Sequence, residues 1–136
     1  EFLPAMVGRG WGRVVNIASI AGLEGGRYIA AYAASKHAMV GLSRSVALEC
    51  AGTGVTVNAV CPGYVETPMT ERTLQNVGAH SGLSRAAALG AVLATAGQER
   101  LIAPAEVAEA VLRLCLPGAG NLNGQTIPVG AGGSKP

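Results

Sequence analysis

The fold is decided by residues 16–36, with the sequence NIASIAGLEGGRYIAAYAASK, which end a strand-like run and open a helix-like one. Tyr32 and Lys36 are four residues apart in the helix-like part, so they occupy one helix face, one turn apart. An ammonium group at that distance can stabilise a phenolate, and Ser19 places a further hydroxyl just after the strand-like run. The spacing therefore suits proton transfer to a carbonyl oxygen.

Two strand-like runs flank a long helical segment. Residues 13–18 are short, β-branched and nearly all apolar, which predicts a strand buried on both faces, as in a parallel sheet. Residues 28–50 repeat their apolar positions at helical spacing, and residues 55–61 predict a second strand closed by Pro62. Strand, helix and strand form a βαβ unit with parallel strands. We therefore expect Ser19, the start of the helix and Pro62 to meet at the edge where open α/β sheets bind ligands.

The pattern weakens over residues 65–100. A polar segment over residues 75–84 separates a Thr-Pro-Met-Thr run from an Ala-rich helical piece over residues 85–95. We interpret this region as a mobile lid over the site.

The C-terminal part predicts one more helix and one more strand. Pro104 stands where a helix can begin, and Pro117 ends it. Residues 124–129 predict a last strand near a sheet edge, because Pro128 cannot donate to a ladder. Residues 130–136 read as a loose tail.

Composition narrows the classes of partner. The net charge of +2 comes from scattered residues without a basic run, so neither nucleic acid nor an anionic membrane surface is indicated, and a small molecule is the expected partner. Cys50, Cys61 and Cys115 lie far apart without Cys-x-x-Cys spacing, which predicts no metal site. They read as buried thiols in a reducing compartment, and we expect a cytoplasmic protein that neither spans nor binds a membrane.

These motifs together resemble the short-chain dehydrogenase/reductase family. Ser19, Tyr32 and Lys36 match that family's Ser, Tyr and Lys in order and spacing, residues 58–67 (NAVCPGYVET) resemble its second signature, and residues 123–125 resemble the start of its final strand. The resemblance covers essentially the whole chain. It implies an α/β fold, a Rossmann-like doubly wound parallel sheet in three α/β/α layers. The overall character of the sequence is most similar to that of 3-ketoacyl and polyketide ketoreductases.

The resemblance also implies a reaction, hydride transfer between NAD or NADP and a ketone or secondary alcohol, such as a 3-oxoacyl compound. Tyr32 would protonate the carbonyl oxygen or take the alcohol proton. A free phenol titrates near pH 10, so its anion needs support at neutral pH. Lys36 would supply that support by its charge and would also hydrogen-bond the nicotinamide ribose. Ser19 would donate a hydrogen bond to the substrate oxygen.

By the same resemblance, further cofactor contacts follow the second strand. Pro62 and Gly63 would turn the backbone beneath the nicotinamide, Val65 would offer backbone groups to its carboxamide, and Thr67 would contact the carboxamide or a phosphate. From the residues alone, an ordinary turn is the preferred explanation of Pro62-Gly63, and only the resemblance implies the cofactor role.

The chain departs from the family pattern in its first half. Family members are longer, and their N-terminal half carries a Gly-rich turn where the cofactor pyrophosphate rests on a helix N-terminus. No such turn follows a strand here. We therefore expect residues 1–136 to be a single partial domain, the catalytic C-terminal half of a reductase, with an incomplete NAD or NADP site and little activity alone.

Two hypotheses remain open. The chain is a fragment of a nicotinamide-dependent oxidoreductase, or it is a complete, non-catalytic binding or assembly module derived from that fold. The resemblance implies a homodimer or homotetramer that pairs through the long helix and the last strand. Small residues along one face of that helix would permit close packing: Ala34, Ala38, Gly41 and Ser45.

Overall fold

A computed structural model describes residues 1–130, so most of the predicted tail, residues 131–136, lies outside the described part. The strands of the described part are β1 (Gly12–Ile17), β2 (Val55–Pro62) and β3 (Thr126–Val129). Its α-helices are α1 (Leu3–Gly8), α2 (Ala30–Glu49), α3 (Pro68–Ser81), α4 (Arg85–Thr95) and α5 (Pro104–Cys115). Two short 3-10 turns cover Ile20–Gly22 and Pro117–Ala119.

The three strands form one parallel sheet in the order β1-β2-β3. The β1–β2 register runs from Gly12 opposite Val55 to Ile17 opposite Val60. The β2–β3 register runs from Ala59 opposite Thr126 to Pro62 opposite Val129. Because all three strands run the same way, their carboxyl ends lie at one edge, which confirms the predicted α/β architecture.

The helices form layers on the sheet. Alternate residues of β2 face α2 and pack into two apolar clusters with it. Helix α1 adds Leu3 and Met6 to one of them, while α5 lies against all three strands on the other face. The clusters consist of Ala47, Cys50, Val55 and Val57, and of Ala18, Val40, Ala59 and Cys61.

Burial differs sharply between the first two strands. All eight residues of β2 are buried. The prediction that β1 is buried on both faces is wrong for the described chain, since Val14 and Val15 are only half-buried and Ile17 is exposed. The physical reason is that β1 has β2 as its single neighbour in the described sheet, and so presents a free edge.

Helix α2 confirms the predicted long helix with slightly shorter bounds. Tyr28 adopts a left-handed backbone conformation, with φ of 65°, and Ile29 is the residue at the N-cap. After Glu49 the chain passes through Gly52 and Gly54, both at positive φ, and enters β2. The first two turns of α2 lie at the carboxyl edge of the sheet, where Lys36 contacts the end of β1.

The segment between β2 and α5 is more helical than predicted. The interpretation of residues 75–84 as a polar break is wrong for most of its length, because α3 continues to Ser81 and ends at Gly82, where φ is 69°. Leu74 of α3 packs against Ala88 and Val92 of α4, so one buried cluster holds both helices. Helix α4 has the predicted bounds, whereas lid motion stays a prediction.

Helix α5 begins at Pro104 as predicted, and a side chain in its first turn caps it. The Glu106 carboxylate accepts a hydrogen bond from the Ala103 N–H at 2.8 Å and pairs with the Arg100 guanidinium at 2.7 Å. Hydrogen bonds from Arg100 and the Ala103 backbone lower the pKa of Glu106 to about 2. The cap thus fixes the connection that leads from α4 to α5.

Strand β3 lies at an edge of the described sheet, as predicted, and Asn123 ties the chain ahead of it to the core. Its amide oxygen accepts from the Val57 N–H at 2.9 Å, and its amide nitrogen donates to the Ala47 carbonyl at 2.8 Å. One side chain therefore joins β2, the C-terminal half of α2 and the entry to β3.

We predict that Asn123→Ala lowers the free energy of unfolding by about 2 kcal/mol, because the buried Val57 N–H loses its acceptor. Urea unfolding monitored by circular dichroism measures the change. Asn121→Ala is the matched control, since Asn121 is exposed. Equal stability of the two variants would contradict this role of Asn123.

Candidate active site

Ser19 lies at the carboxyl end of β1, where the chain turns toward α2. It caps the 3-10 turn Ile20–Gly22, and its Oγ accepts a hydrogen bond from the Ala21 N–H at 3.2 Å. The residue is 8% exposed. Because Oγ serves as the acceptor in the turn, its hydroxyl hydrogen remains able to donate to another oxygen.

Lys36 connects the end of β1 with Tyr32. Its Nζ donates to the Ile17 carbonyl at 3.2 Å and lies 5.6 Å from the centroid of the Tyr32 ring. Tyr32 stands in the first turn of α2 and is 41% exposed, so its ring can be reached from solvent. The structure thus brings Tyr32 and Lys36 to the sheet edge that also bears Ser19.

A glycine makes this arrangement possible. A Cβ atom on Gly22 would lie 2.7 Å from the carbonyl oxygen of Lys36 and 2.9 Å from its carbonyl carbon. Only a residue without a side chain allows this approach of backbone to backbone. Gly22 therefore fixes how closely the turn that starts at Ser19 packs against the helix that carries Lys36.

The buried wall behind these residues contains the Cys61 thiol. Burial raises the pKa of this thiol above its usual range, although a hydrogen bond with the Ser19 backbone and the positive charges of Arg44 and Lys36 oppose the effect. The thiol is therefore protonated at neutral pH. The interactions of the Cys61 thiol with the Ser19 backbone and with the Lys36 charge also show that the end of β2 adjoins these two residues.

The loop after β2 contains the other predicted cofactor residues. Pro62 ends β2, and the Gly63 N–H donates to the Val129 carbonyl at 3.1 Å. Thr67 is the N-cap of α3, and its Oγ1 accepts from the Thr70 N–H. Its hydroxyl is thus used locally, in a cap that sets where α3 begins.

Val65 presents its two backbone groups differently. Its carbonyl accepts a hydrogen bond from Thr70 Oγ1 at 2.6 Å, whereas its N–H makes no hydrogen bond with the described residues. Val65 also forms an isolated parallel bridge with Ile102. The loop is thereby held in place with one backbone donor left unused.

These donors fit the nicotinamide part of a cofactor. A nicotinamide ribose offers hydroxyl groups, and Lys36 has N–H donors beyond the one given to Ile17. A carboxamide oxygen needs a donor such as the unused Val65 N–H. The described residues thus supply partners for both groups of the nicotinamide riboside.

Gln98 was not singled out by the sequence, although it lies against this loop. It is 8% exposed, and its amide hydrogen-bonds both backbone groups of Tyr64. Gln98 belongs to no motif and lies in the connection after α4, so only the proximity of two distant segments reveals it. Gly22 stands near Gly25 and Gly26 in the chain, and no sequence signal distinguishes it from them.

A cavity of about 710 Å³ lies beside Thr67, away from Ser19, and is bounded by α3 and α4. Its lining includes the ion pair of Glu71 with Arg85, whose closest N–O distance is 2.7 Å. The hydrogen bond from Arg85 lowers the pKa of the Glu71 carboxyl. Charged side chains therefore line part of the cavity beside Thr67.

The two histidines of the chain lie outside this arrangement. His37 and His80 are exposed, and the ring of each hydrogen-bonds a carbonyl one turn back in its own helix. In the described part of the chain, no three His, Cys, Asp or Glu side chains are grouped as metal ligands. No helix of residues 1–130 has both the length and the apolar character needed to cross a bilayer.

The chain is similar to proteins of one family. Residues 1–78 match the family described as short chain dehydrogenase. A putative ketoacyl reductase of Streptomyces coelicolor is 43% identical over 127 residues, which cover 93% of this chain and 49% of that protein. D-beta-hydroxybutyrate dehydrogenase of Rhizobium meliloti is 37% identical over 132 residues, which cover 96% and 51%. The chain thus spans about half the length of the curated relatives it matches.

A solved structure agrees with the fold. The F189W variant of actinorhodin polyketide ketoreductase, in its crystal structure with NADPH, has a sequence 43% identical to this chain. The two structures superimpose with a TM-score of 0.86 over 93% of this chain and 49% of that one. The similarity therefore extends from sequence to the arrangement of strands and helices.

We predict that Gly22→Ala destabilises the protein by about 1–3 kcal/mol, because the new methyl group would collide with the Lys36 backbone. Thermal or urea unfolding measures the loss. Gly25→Ala is the control, since a Cβ there meets no atom within 4 Å. If both substitutions cost the same, the close approach at Gly22 does not govern this corner of the site.

Proposed function

The chain belongs to the short-chain dehydrogenase family, and we propose that it provides the catalytic half of an NAD- or NADP-dependent oxidoreductase acting on a ketone or secondary alcohol. The single observation that carries the proposal is the Lys36 ammonium, which contacts the end of β1 and lies beside the Tyr32 ring at the carboxyl edge of a parallel sheet. The NADPH in the structurally similar actinorhodin polyketide ketoreductase supports the choice of cofactor.

A bound nicotinamide would supply the hydride in reduction and accept it in oxidation. Tyr32 would hold the proton that reaches the carbonyl oxygen, and the Lys36 charge would stabilise the phenolate that remains. Ser19 would donate its free hydroxyl hydrogen to the same oxygen, which stabilises the negative charge that develops there. Burial of Ser19 excludes water from that hydrogen bond and strengthens it.

The loop after β2 would orient the cofactor. Pro62 and Gly63 would lie beneath the nicotinamide, and the unused Val65 N–H would donate to its carboxamide. Thr67 would contact the carboxamide or a phosphate. The pyrophosphate would be bound by a part of the enzyme that this half does not supply, which agrees with the share of the relatives' length that the chain covers.

Ketoacyl and hydroxybutyrate compounds are the substrates that the names of the relatives suggest. The name beta-hydroxybutyrate, and the name 3-oxoacyl reductase of a further relative from Vibrio cholerae, both place the oxygen at the third carbon of an acyl chain, so a 3-oxoacyl compound is the substrate we propose. The free Cys50 and Cys61 thiols are buried, which suits the reducing conditions of the cytoplasm.

Tyr32→Phe should reduce turnover of a short 3-oxoacyl thioester by about a thousandfold while leaving the fold intact, since the phenolic proton is lost and little packing changes. Loss of nicotinamide absorbance in the intact protein, with NADH and NADPH in turn, measures the rate. Tyr28→Phe is the matched control, because Tyr28 is fully exposed in the preceding loop.

Near-normal turnover by Tyr32→Phe would overturn the catalytic assignment. Absence of turnover and of cofactor binding in the unmodified protein would instead favour the non-catalytic binding module.

We also propose a homodimer that pairs through α2, with β3 available for a further contact in a homotetramer. Small residues line the exposed face of α2, and Leu42 and Leu48 beside them are 60% and 79% exposed. An apolar helix face of this kind is stabilised when a second copy covers it. The small residues are Ala34, Ala38, Gly41 and Ser45.

Ala38→Glu should therefore shift the protein toward the monomer, because a charge would be placed between two closely packed helices. Sedimentation velocity measures the state. Ala108→Glu, on an exposed position of α5, should leave it unchanged. A protein that is monomeric before substitution would exclude this interface.

A further inference from the structure

We propose that Gln98 is a positioning residue that orients the Val65 N–H toward the nicotinamide carboxamide. The inference rests on the proposed function, because it concerns the same cofactor loop. Gln98 lies in the connection between α4 and α5 and does not itself reach the reacting atoms. It acts through the backbone of residues 63–66.

The Gln98 side-chain amide hydrogen-bonds both backbone groups of Tyr64, as the backbone of a neighbouring strand would. Its Oε1 accepts from the Tyr64 N–H at 2.7 Å, and its Nε2 donates to the Tyr64 carbonyl at 3.3 Å and to the Arg100 carbonyl at 3.2 Å. The Gln98 N–H itself donates to the Leu93 carbonyl at 3.0 Å, which anchors the residue to the end of α4. A buried amide that bonds both backbone groups of Tyr64 holds the two peptide units that flank this residue, and the second of them carries the Val65 N–H.

Gly63 allows this contact. A Cβ at Gly63 would collide with Gln98 Oε1, so the absence of a side chain lets the amide reach the backbone. Gly63 is therefore explained by a specific side chain packed against it, and not only by the turn that follows Pro62.

The peptides on either side of Val65 are thereby fixed. Tyr64 is held by Gln98 and by the Ile102 N–H, which donates to the Tyr64 carbonyl at 3.0 Å. Glu66 donates its N–H to the Ile102 carbonyl at 2.8 Å. With its neighbours held and its own carbonyl bound by Thr70, the Val65 N–H has one direction available. The connection between α4 and α5 therefore sets where the carboxamide donor points.

A comparison of two ligands in the intact protein tests this role. Gln98→Met keeps most of the side-chain volume but removes both hydrogen bonds to Tyr64. We expect the dissociation constant for NADH or NADPH to rise about tenfold, which corresponds to about 1.4 kcal/mol. The dissociation constants for ADP-ribose and its 2′-phosphate, which lack nicotinamide, should stay within about twofold. Titration calorimetry measures both without any turnover.

Gln75→Met is the matched control, because it makes the same change at an exposed position of α3. Gln98→Glu keeps the acceptor for the Tyr64 N–H and loses the donor, so we expect about a threefold rise, again confined to the nicotinamide ligands. If Gln98→Met does not fold, this second variant decides the question.

Equal weakening of both ligand classes would show that Gln98 only supports the fold, and unchanged affinity for both would show that it has no role in the site. Either result overturns the inference and leaves the proposed function standing, provided that the unmodified protein binds nicotinamide cofactor and Tyr32→Phe loses turnover. Failure of the unmodified protein to bind any nicotinamide ligand would overturn both.

Discussion

The burial of every residue of β2 is the constraint on which the described fold depends. A buried strand must pair all its backbone groups, and β2 does so with β1 on one side and with β3 and the residues ahead of it on the other. The side-chain amide of Asn123 supplies one further acceptor to the backbone of β2, and the side-chain amide of Asn58, on β2, pairs with backbone groups ahead of β3. Asn123 accepts from the Val57 N–H, and Asn58 accepts from the Gln125 N–H while it donates to the Leu122 carbonyl. The loop that follows β2 is therefore attached to a strand that is buried along its whole length and paired on both sides.

Short-range contacts connect the sheet with the candidate site. At one side, Gly22 brings the Ser19 turn against the backbone of Lys36, and Lys36 reaches back to the last residue of β1. At the other side, the loop after Pro62 is bound by Ile102 and Gln98. The site is thus assembled from backbone approaches between distant segments, and its polar side chains occupy positions that the backbone has already determined.

The parts of this arrangement that the sequence predicts are those with a local cause. The β-branched run of β2, the helical period of α2 and the Pro104 start of α5 follow from neighbours in the chain, and so does the spacing of Tyr32 from Lys36. Helix α3 was missed over its second half because none of residues 75–81 is buried, and only the partly buried Val77 continues the inner side that Leu74 begins. The half-burial of β1 depends on how many strands flank it, and that number cannot be predicted from the residues of β1.

Gln98 and Gly22 belong to a further class, in which the role of a residue comes from contacts made across many positions. A glutamine after a helix ordinarily has a solvated side chain. The Gln98 amide is buried because it hydrogen-bonds the backbone of Tyr64, which lies far away in the sequence. The local sequence around Gly22 contains other glycines with open space around them, such as Gly25. In both cases the determining partner lies more than ten positions away along the chain.

The buried Cys61 has a consequence for the reactivity of the site. A thiolate next to a polarised carbonyl compound would add to it and form a hemithioacetal, which would withdraw the compound from reduction. Because burial raises the pKa of Cys61, the sulfur behind Ser19 remains a neutral thiol and is a poor nucleophile. Under the proposed function, the described wall of the site would thus offer a carbonyl compound hydrogen-bond donors without a Cys61 thiolate that competes for it.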